Sequence, residues 1–165
     1  MIYKLNKDNK KLYPSIIDFC SEHYDYDFYC TVDNARLFAT DEKNLKKFLK
    51  DVTYSITLEE TGEYQGFLLV WRSKHLESKR YYIKLTAKNA DVARKLLTIL
   101  LWNYQGKEIF AKIRKDNKFL SVLKEKGFRF IAERGFQVLL KLKIFRQPIR
   151  ENPYVDKSYE YRNDR

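Results

Sequence analysis

The sequence predicts an α/β fold: a single-domain mixed sheet with a central parallel strand–helix–strand unit flanked by antiparallel hairpins. Three observations predict it. Strand-like apolar runs or alternation occupy TYSITLEE (53–60), GFLLVWRS (66–73) and YYIKLTA (81–87). Spacing then turns helical in ADVARKLLTILLWNY (90–104) and strand-like again in KEIFAKI (107–113), the pattern of a right-handed parallel crossover. Finally, 165 residues with 44% apolar content suffice for one domain with a real core.

Taken in order, the chain opens with a short strand, IYKL. After Pro14 the stretch SIIDFCSEHY can place Ile16, Ile17, Phe19 and Cys20 on one helical face, with Ser15 as its cap. The Asp- and Tyr-dense segment YDYDFYCTVDNARLF shows no period. Thr40 or Asp41 can cap a second helix, DEKNLKKFLKDV, in which Leu45, Phe48, Leu49 and Val52 recur at helical spacing. Turn residues TGEYQG join the first two long strands as a hairpin. The charged loop SKHLESKR leads to the third strand, and the helix at 90–104 is apolar enough on most sides to be well buried. DNKFLSVLKEK reads as a short helix that Gly127 ends in the left-handed conformation. FRFIAE and FQVLLKLKIF pair as a last hairpin around Arg134 and Gly135. RQPIRENPYVDKSYEYRNDR, with two prolines and no apolar period, lies outside the core.

No apolar run reaches the roughly 18–20 residues of a membrane span, and MIYKLNKDNKK lacks the apolar core of a secretion signal. A cytoplasmic location follows as the expectation. Cys20 and Cys30 then read as reduced thiols. A zinc site would need more ligands than Cys20, His23, Cys30 and the distant His75 offer, so no metal is expected. Residues 1–71 hold nine Lys/Arg against twelve Asp/Glu, a balance of −3, whereas residues 72–165 hold 24 against 10, a balance of +14. The basic part suits an anionic partner: a phosphorylated cofactor, nucleic acid or an acidic protein. A lysine-rich surface that only keeps the protein soluble has the same composition.

The element order, the turn LTAKNADVARKLL (85–97) and the ending KEKGF together resemble the GNAT superfamily of acyl-CoA-dependent N-acetyltransferases. The likeness covers residues 1–145; residues 146–165 form a basic, Tyr-rich tail. It implies a fourth strand that splays from the fifth to admit pantetheine. It also implies a Gln/Arg-x-x-Gly-x-Gly/Ala turn whose amides hold the cofactor's pyrophosphate, as helix N-termini can. The double leucine Leu96–Leu97 sets the register: Lys88 at the Gln/Arg position, Asp91 at the first Gly, Ala93 at the Gly/Ala. The implied acetyl-CoA (acyl-CoA) site is Leu85, Lys88, Asn89, Ala90, Asp91, Val92, Ala93 and Arg94. Asp91 departs from the pattern, since a carboxylate repels phosphate, yet Asp in a first helical turn also stabilises a helix unaided. Leu123 stands where many members carry a proton-donating Tyr. The Asn that often opens that helix is matched by Asp116, with Asn117 adjacent.

The resemblance implies acyl transfer from acyl-CoA to a primary amine on an unidentified substrate. Glu59 and Glu60 are the nearest candidates for a general base, although paired glutamates at a strand end are more often a solvated turn. The alternative is a catalytically inactive protein of the same fold that binds nucleic acid or a protein through residues 72–165, a design that would suit a virus. In it Arg and Lys meet phosphates while Tyr and Trp stack on bases. The tail, with Arg150, Lys157, Arg162 and Arg165 among Tyr154, Tyr159 and Tyr161, is expected to bind a partner or a second copy.

Overall fold

The computed structural model of the chain describes residues 2–4, 10–22, 42–50, 52–72, 80–146 and 160–161. Among these residues eight strands and four α-helices follow one another as β1 (Ile2–Lys4), α1 (Tyr13–Glu22), α2 (Glu42–Leu49), β2 (Val52–Glu60), β3 (Glu63–Arg72) and β4 (Tyr81–Ala87). Then come α3 (Ala90–Asn103), β5 (Glu108–Arg114), α4 (Leu120–Glu125), β6 (Arg129–Arg134), β7 (Gln137–Lys143) and β8 (Glu160–Tyr161). The strands form one sheet in the order β6-β7-β5-β4-β3-β2-β1-β8.

The expected parallel unit is present: β4 and β5 run parallel, joined by α3, between the antiparallel hairpins β2–β3 and β6–β7. Helix α3 starts at Ala90, where the apolar spacing changes. The β2–β3 turn is shorter than TGEYQG suggests. Thr61 and Gly62 alone make it, both at positive φ (52° and 82°), the twist a two-residue hairpin needs, so Glu63–Gln65 join the strand. Gly127 takes φ 102° after α4, as expected.

Three boundaries are corrected. Helix α1 begins at Tyr13, so Ser15 lies inside it and its hydroxyl donates to the Leu12 carbonyl rather than capping. Pro14 permits this, because a first-turn residue has no N–H partner to lose. Helix α2 stops at Leu49, and Val52 opens β2 instead. The last helix is shorter than DNKFLSVLKEK, because the Asn117 side chain holds a turn ahead of it by accepting from Phe119 N at 2.8 Å. The segment YDYDFYCTVDNARLF, with His23, Cys30, Thr40, Asp41 and His75, lies outside the described residues.

The two faces of the sheet differ chemically. Leu68 and Val70 of β3, Ile83 and Leu85 of β4, and Ala111 and Ile113 of β5 pack with α3 and α4 in a wholly apolar core. On the other face Phe67 and Leu69 meet Tyr13, Ile16 and Phe19 of α1 and Leu45 and Leu49 of α2. All five buried polar residues among those described lie on β2 and β4: Ser55, Thr57, Glu59, Lys84 and Thr86. Strand alternation puts them on this second face.

Candidate functional site

β4 and β5 each have seven residues, yet they pair only at Tyr81–Ile109 and Tyr82–Phe110. Beyond that point the strands part. β4 stays zipped to β3 as far as Ala87, and β5 to β7 as far as Arg114, so the opening lies between the two parallel strands. It widens toward their C-terminal ends, where open α/β sheets place ligands. The turn into α3 stands at this end of β4.

The turn is well ordered by its own contacts. Lys88 N donates to the Gln65 carbonyl at 2.9 Å, which fixes the strand exit. Asn89, in extended conformation, caps α3: its Oδ1 accepts from Val92 N at 3.0 Å and its carbonyl from Ala93 N at 3.1 Å. A helix start leaves its first N–H groups without intrahelical partners, here those of Asn89, Ala90 and Asp91. Ala93 is buried against the sheet. Gly66 makes this close packing possible: a Cβ there would stand 2.9 Å from the Thr86 carbonyl and 3.0 Å from both Val92 Cγ1 and Leu96 Cδ1.

Charge at the turn is locally balanced. Arg94 Nη1 donates to Asp91 Oδ1 and Arg94 Nε to Glu125 Oε2, each at 2.8 Å, so one guanidinium ties the start of α3 to the end of α4. The hydrogen bond and charge of Glu125, then those of Asp91, hold the Arg94 pKa above its ordinary value against partial desolvation. Lys88 is exposed beside this cluster, and Leu85 is buried under α3, so only its backbone can reach a ligand.

The other sequence-derived residues lie elsewhere. Glu59 is buried and Glu60 exposed, lining a hollow with Thr61 and Gly62 at the tip of the β2–β3 hairpin. β2 is two strands from β4, roughly 10 Å across the sheet. The structure therefore does not bring either glutamate to the opening. Leu123 is fully buried in the apolar core, Asp116 pairs with Arg114 at 3.0 Å, and Asn117 serves the turn described above. Cys20 is buried, and no group of potential metal ligands occurs among the described residues. None of the described helices is long and apolar enough to cross a membrane.

Sequence reasoning overlooked two residues. Lys84 is 1% exposed in the middle of β4. Lys112 of β5 reaches back over the Tyr82 ring, Nζ 5.7 Å from its centre. Their signal was a lysine interrupting each of two apolar strands, YYIKLTA and KEIFAKI.

A mixed sheet opened between its parallel strands onto a helix start defines the class: this is the fold of the GNAT acetyltransferases. Solved structures agree. A ribosomal-protein-alanine N-acetyltransferase from Brucella melitensis superposes with TM-score 0.65 at 11% identity, covering 87% of this chain and 99% of its own. YncA of Salmonella typhimurium, a putative acetyltransferase solved with acetyl-CoA, gives 0.65 at 15% identity over 92% of this chain and 97% of its own. The PaiA N-acetyltransferase of Thermoplasma acidophilum, solved with coenzyme A, gives 0.63 at 13% identity over 87% and 98%. In sequence, no family model and no curated protein matches the chain. The likeness is one of fold.

Proposed function

We propose that the protein is a GNAT-type N-acyltransferase that moves an acyl group from acyl-CoA to a primary amine. The observation that carries this reading is the opening of β4 from β5 after two residue pairs, directly beneath the first turn of α3. The residues there fit the cofactor in shape. An extended pantetheine arm can follow the parted strand edges, and the N–H groups at 89–91 can meet pyrophosphate. Lys88 adds a positive charge; Arg94 offsets the repulsion from Asp91. Two CoA-bound neighbours of the same fold support the assignment.

Bound acyl-CoA would supply the activated thioester. The chain's part is to align an amine against it and keep the approach dry on the α1/α2 face. A carboxylate base is not offered by β4, which presents Lys84 and Thr86 there, and Glu59 and Glu60 lie beyond β3. The amine proton is therefore taken by water or by a group outside these strands. Leu123 donates none to the departing thiolate, so that proton comes from another group or from water.

Calorimetry with acetyl-CoA tests this reading directly. Lys88→Ala should weaken binding by about 1 kcal/mol, the scale of a partly exposed charge contact. Absence of binding in both the wild type and Asp91→Gly would remove the enzyme reading. The second reading, a catalytically silent GNAT fold, draws on Asp91 at the turn and on the buried Leu123. It requires steeply salt-dependent retention on DNA or on an acidic protein.

A further inference from the structure

On the sheet face that carries Phe67 and Leu69, α1 and α2 cover β3, whereas β5, β7 and β6 present charge. Ile109, Ala111 and Ile113 of β5 and Val138, Leu140 and Leu142 of β7 belong to the apolar core. Strand alternation therefore brings Lys112 and Arg114 of β5, and Lys141 and Lys143 of β7, to the opposite face. The register adds Arg129 and Arg134 of β6, which stand opposite Lys141 and Gln137. Ile144 is buried in the core, and its N–H continues the ladder to the Lys107 carbonyl. Phe145 thus joins the charged face, 69% exposed, with Lys143 Nζ 5.6 Å from its ring centre. Among the described residues, the carboxylates that meet these cations are Glu108, 3.4 Å from Lys141, and Asp116, which pairs with Arg114. Glu133 stands opposite Val138 on the other face and is taken by Lys115. Arg129 and Arg134 form no ion pair among the described residues.

We propose that this face docks single-stranded nucleic acid, with Arg129, Arg134, Lys141 and Lys143 meeting phosphates and Phe145 stacking on a base. Such a surface neither requires nor excludes acyl transfer at the opening. It gives the anionic partner of a silent GNAT fold a chemistry and a place. Like charges directly opposite destabilise a sheet, and Arg129 stands opposite Lys141. Stability alone does not select that pair; a polyanion laid across it turns the repulsion into attraction. Charge on β6 is what an edge strand carries to resist pairing, but β7 is an interior strand. A surface that only confers solubility mixes both signs, and this one is dominated by cations. Lys112 Nζ lies over the Tyr82 ring and Arg114 is held by Asp116, so these two extend the patch at its edge. Alternate residues of a strand are roughly 7 Å apart and neighbouring strands roughly 5 Å, which spreads the cations over a broad, shallow patch. A duplex groove takes a helix or a narrow ribbon, whereas an open sheet face suits splayed bases. An acidic peptide would satisfy the cations but give the exposed ring no partner; a base does.

Fluorescence anisotropy of the whole protein with labelled oligothymidylate or oligouridylate of about twelve nucleotides tests the surface. Either strand should bind more tightly than a duplex of equal length. Affinity should fall with salt, the logarithmic slope being about −0.7 for each phosphate met. Arg129→Gln together with Arg134→Gln should weaken binding at least about tenfold at about 0.1 M salt and flatten that slope by about 1.4. Phe145→Ala should weaken binding about tenfold and leave the slope unchanged. Lys124→Gln removes a charge from α4, across the sheet, and should change affinity by less than about twofold. Phe145 is exposed beyond the end of β7, so its variant keeps the test decisive if the β6 variant fails to fold. No single-strand binding, or equal binding by wild type and either variant, overturns the proposal. Tighter binding of the duplex or of polyglutamate overturns it as well. Acetyl-CoA binding without oligonucleotide binding removes this surface and leaves the acyltransferase reading; oligonucleotide binding without acetyl-CoA binding does the reverse.

Discussion

Asp91 serves two ends that a single substitution separates. Its carboxylate holds Arg94 in a helix first turn, where negative charge stabilises, and it stands where an incoming phosphate would be repelled. Asp91→Gly should cost about 1 kcal/mol of folding stability, through glycine's backbone entropy and the lost contact. The same change should tighten CoA binding by roughly 1 kcal/mol, since a charge pair at about 4 Å in near-aqueous surroundings is worth that much. Urea unfolding and calorimetry on one sample would show the opposed signs; weaker binding with lower stability would assign Asp91 to a supporting role in the site. Tyr104 offers a pH test. Its hydroxyl lies 3.1 Å from Thr53 Oγ1, and burial raises its pKa, the Thr53 bond opposing and Tyr81 adding to the rise. The neutral phenol is thus favoured in the folded state. Its contribution is constant below the ordinary tyrosine value of about 10 and is lost as pH rises through the raised one. Tyr104→Phe should cost about 1 kcal/mol near neutrality. That deficit should shrink in melting curves between pH 9 and 11, and a constant deficit would show that the phenol does not titrate with folding.

At the scale of elements, the parallel unit was legible because apolar spacing changes period sharply at Asn89 and again near Lys107, and nothing nearby competes with it. Helix ends were less so. Ser15 is a good cap by type, but Pro14 and the 3-10 turn Lys10–Leu12 carry the helix past it. The reach of the candidate site was harder still. A strand's sequence does not say which neighbour it will abandon, so the opening after Tyr82 had to come from the family likeness. Glu59 and Glu60 were read by nearness in sequence, whereas β3 intervenes in space. Gly66 shows how an element is positioned by what it lacks. Since Gly66→Ala would drive a methyl to within 3.0 Å of Val92 and Leu96 side chains and 2.9 Å of a backbone oxygen, α3 must shift. We expect a loss of about 1–3 kcal/mol, as for overpacked cores, and weaker CoA binding as the turn moves off the strand ends. A stability loss with CoA affinity intact would mean that the turn tolerates displacement of its helix.

Across the whole molecule, charge and connectivity meet at the tail. The net charge of +11 opposes approach of a second copy, but residues 147–165 carry four Lys/Arg and four Asp/Glu and are neutral rather than basic. They are therefore the part of the C-terminal half best able to lie against another copy. The structure also ties the tail back to its own sheet: Glu160 and Tyr161 pair parallel to Tyr3 and Lys4, so β8 forms the outermost strand beside β1. Two residue pairs at a sheet edge are a weak attachment, and an outermost strand leaves one edge open to pairing. Deleting residues 147–165 should therefore lower Tm by only about 2–4 °C, the effect of about 1 kcal/mol in a chain of this length. It leaves the net charge at +11, so any change in association reports contacts rather than repulsion. Sedimentation should show concentration-dependent self-association in the full chain and its loss in the truncated one. A fall in Tm several times larger, with association unaltered, would make the tail a strap that secures β1 and nothing more.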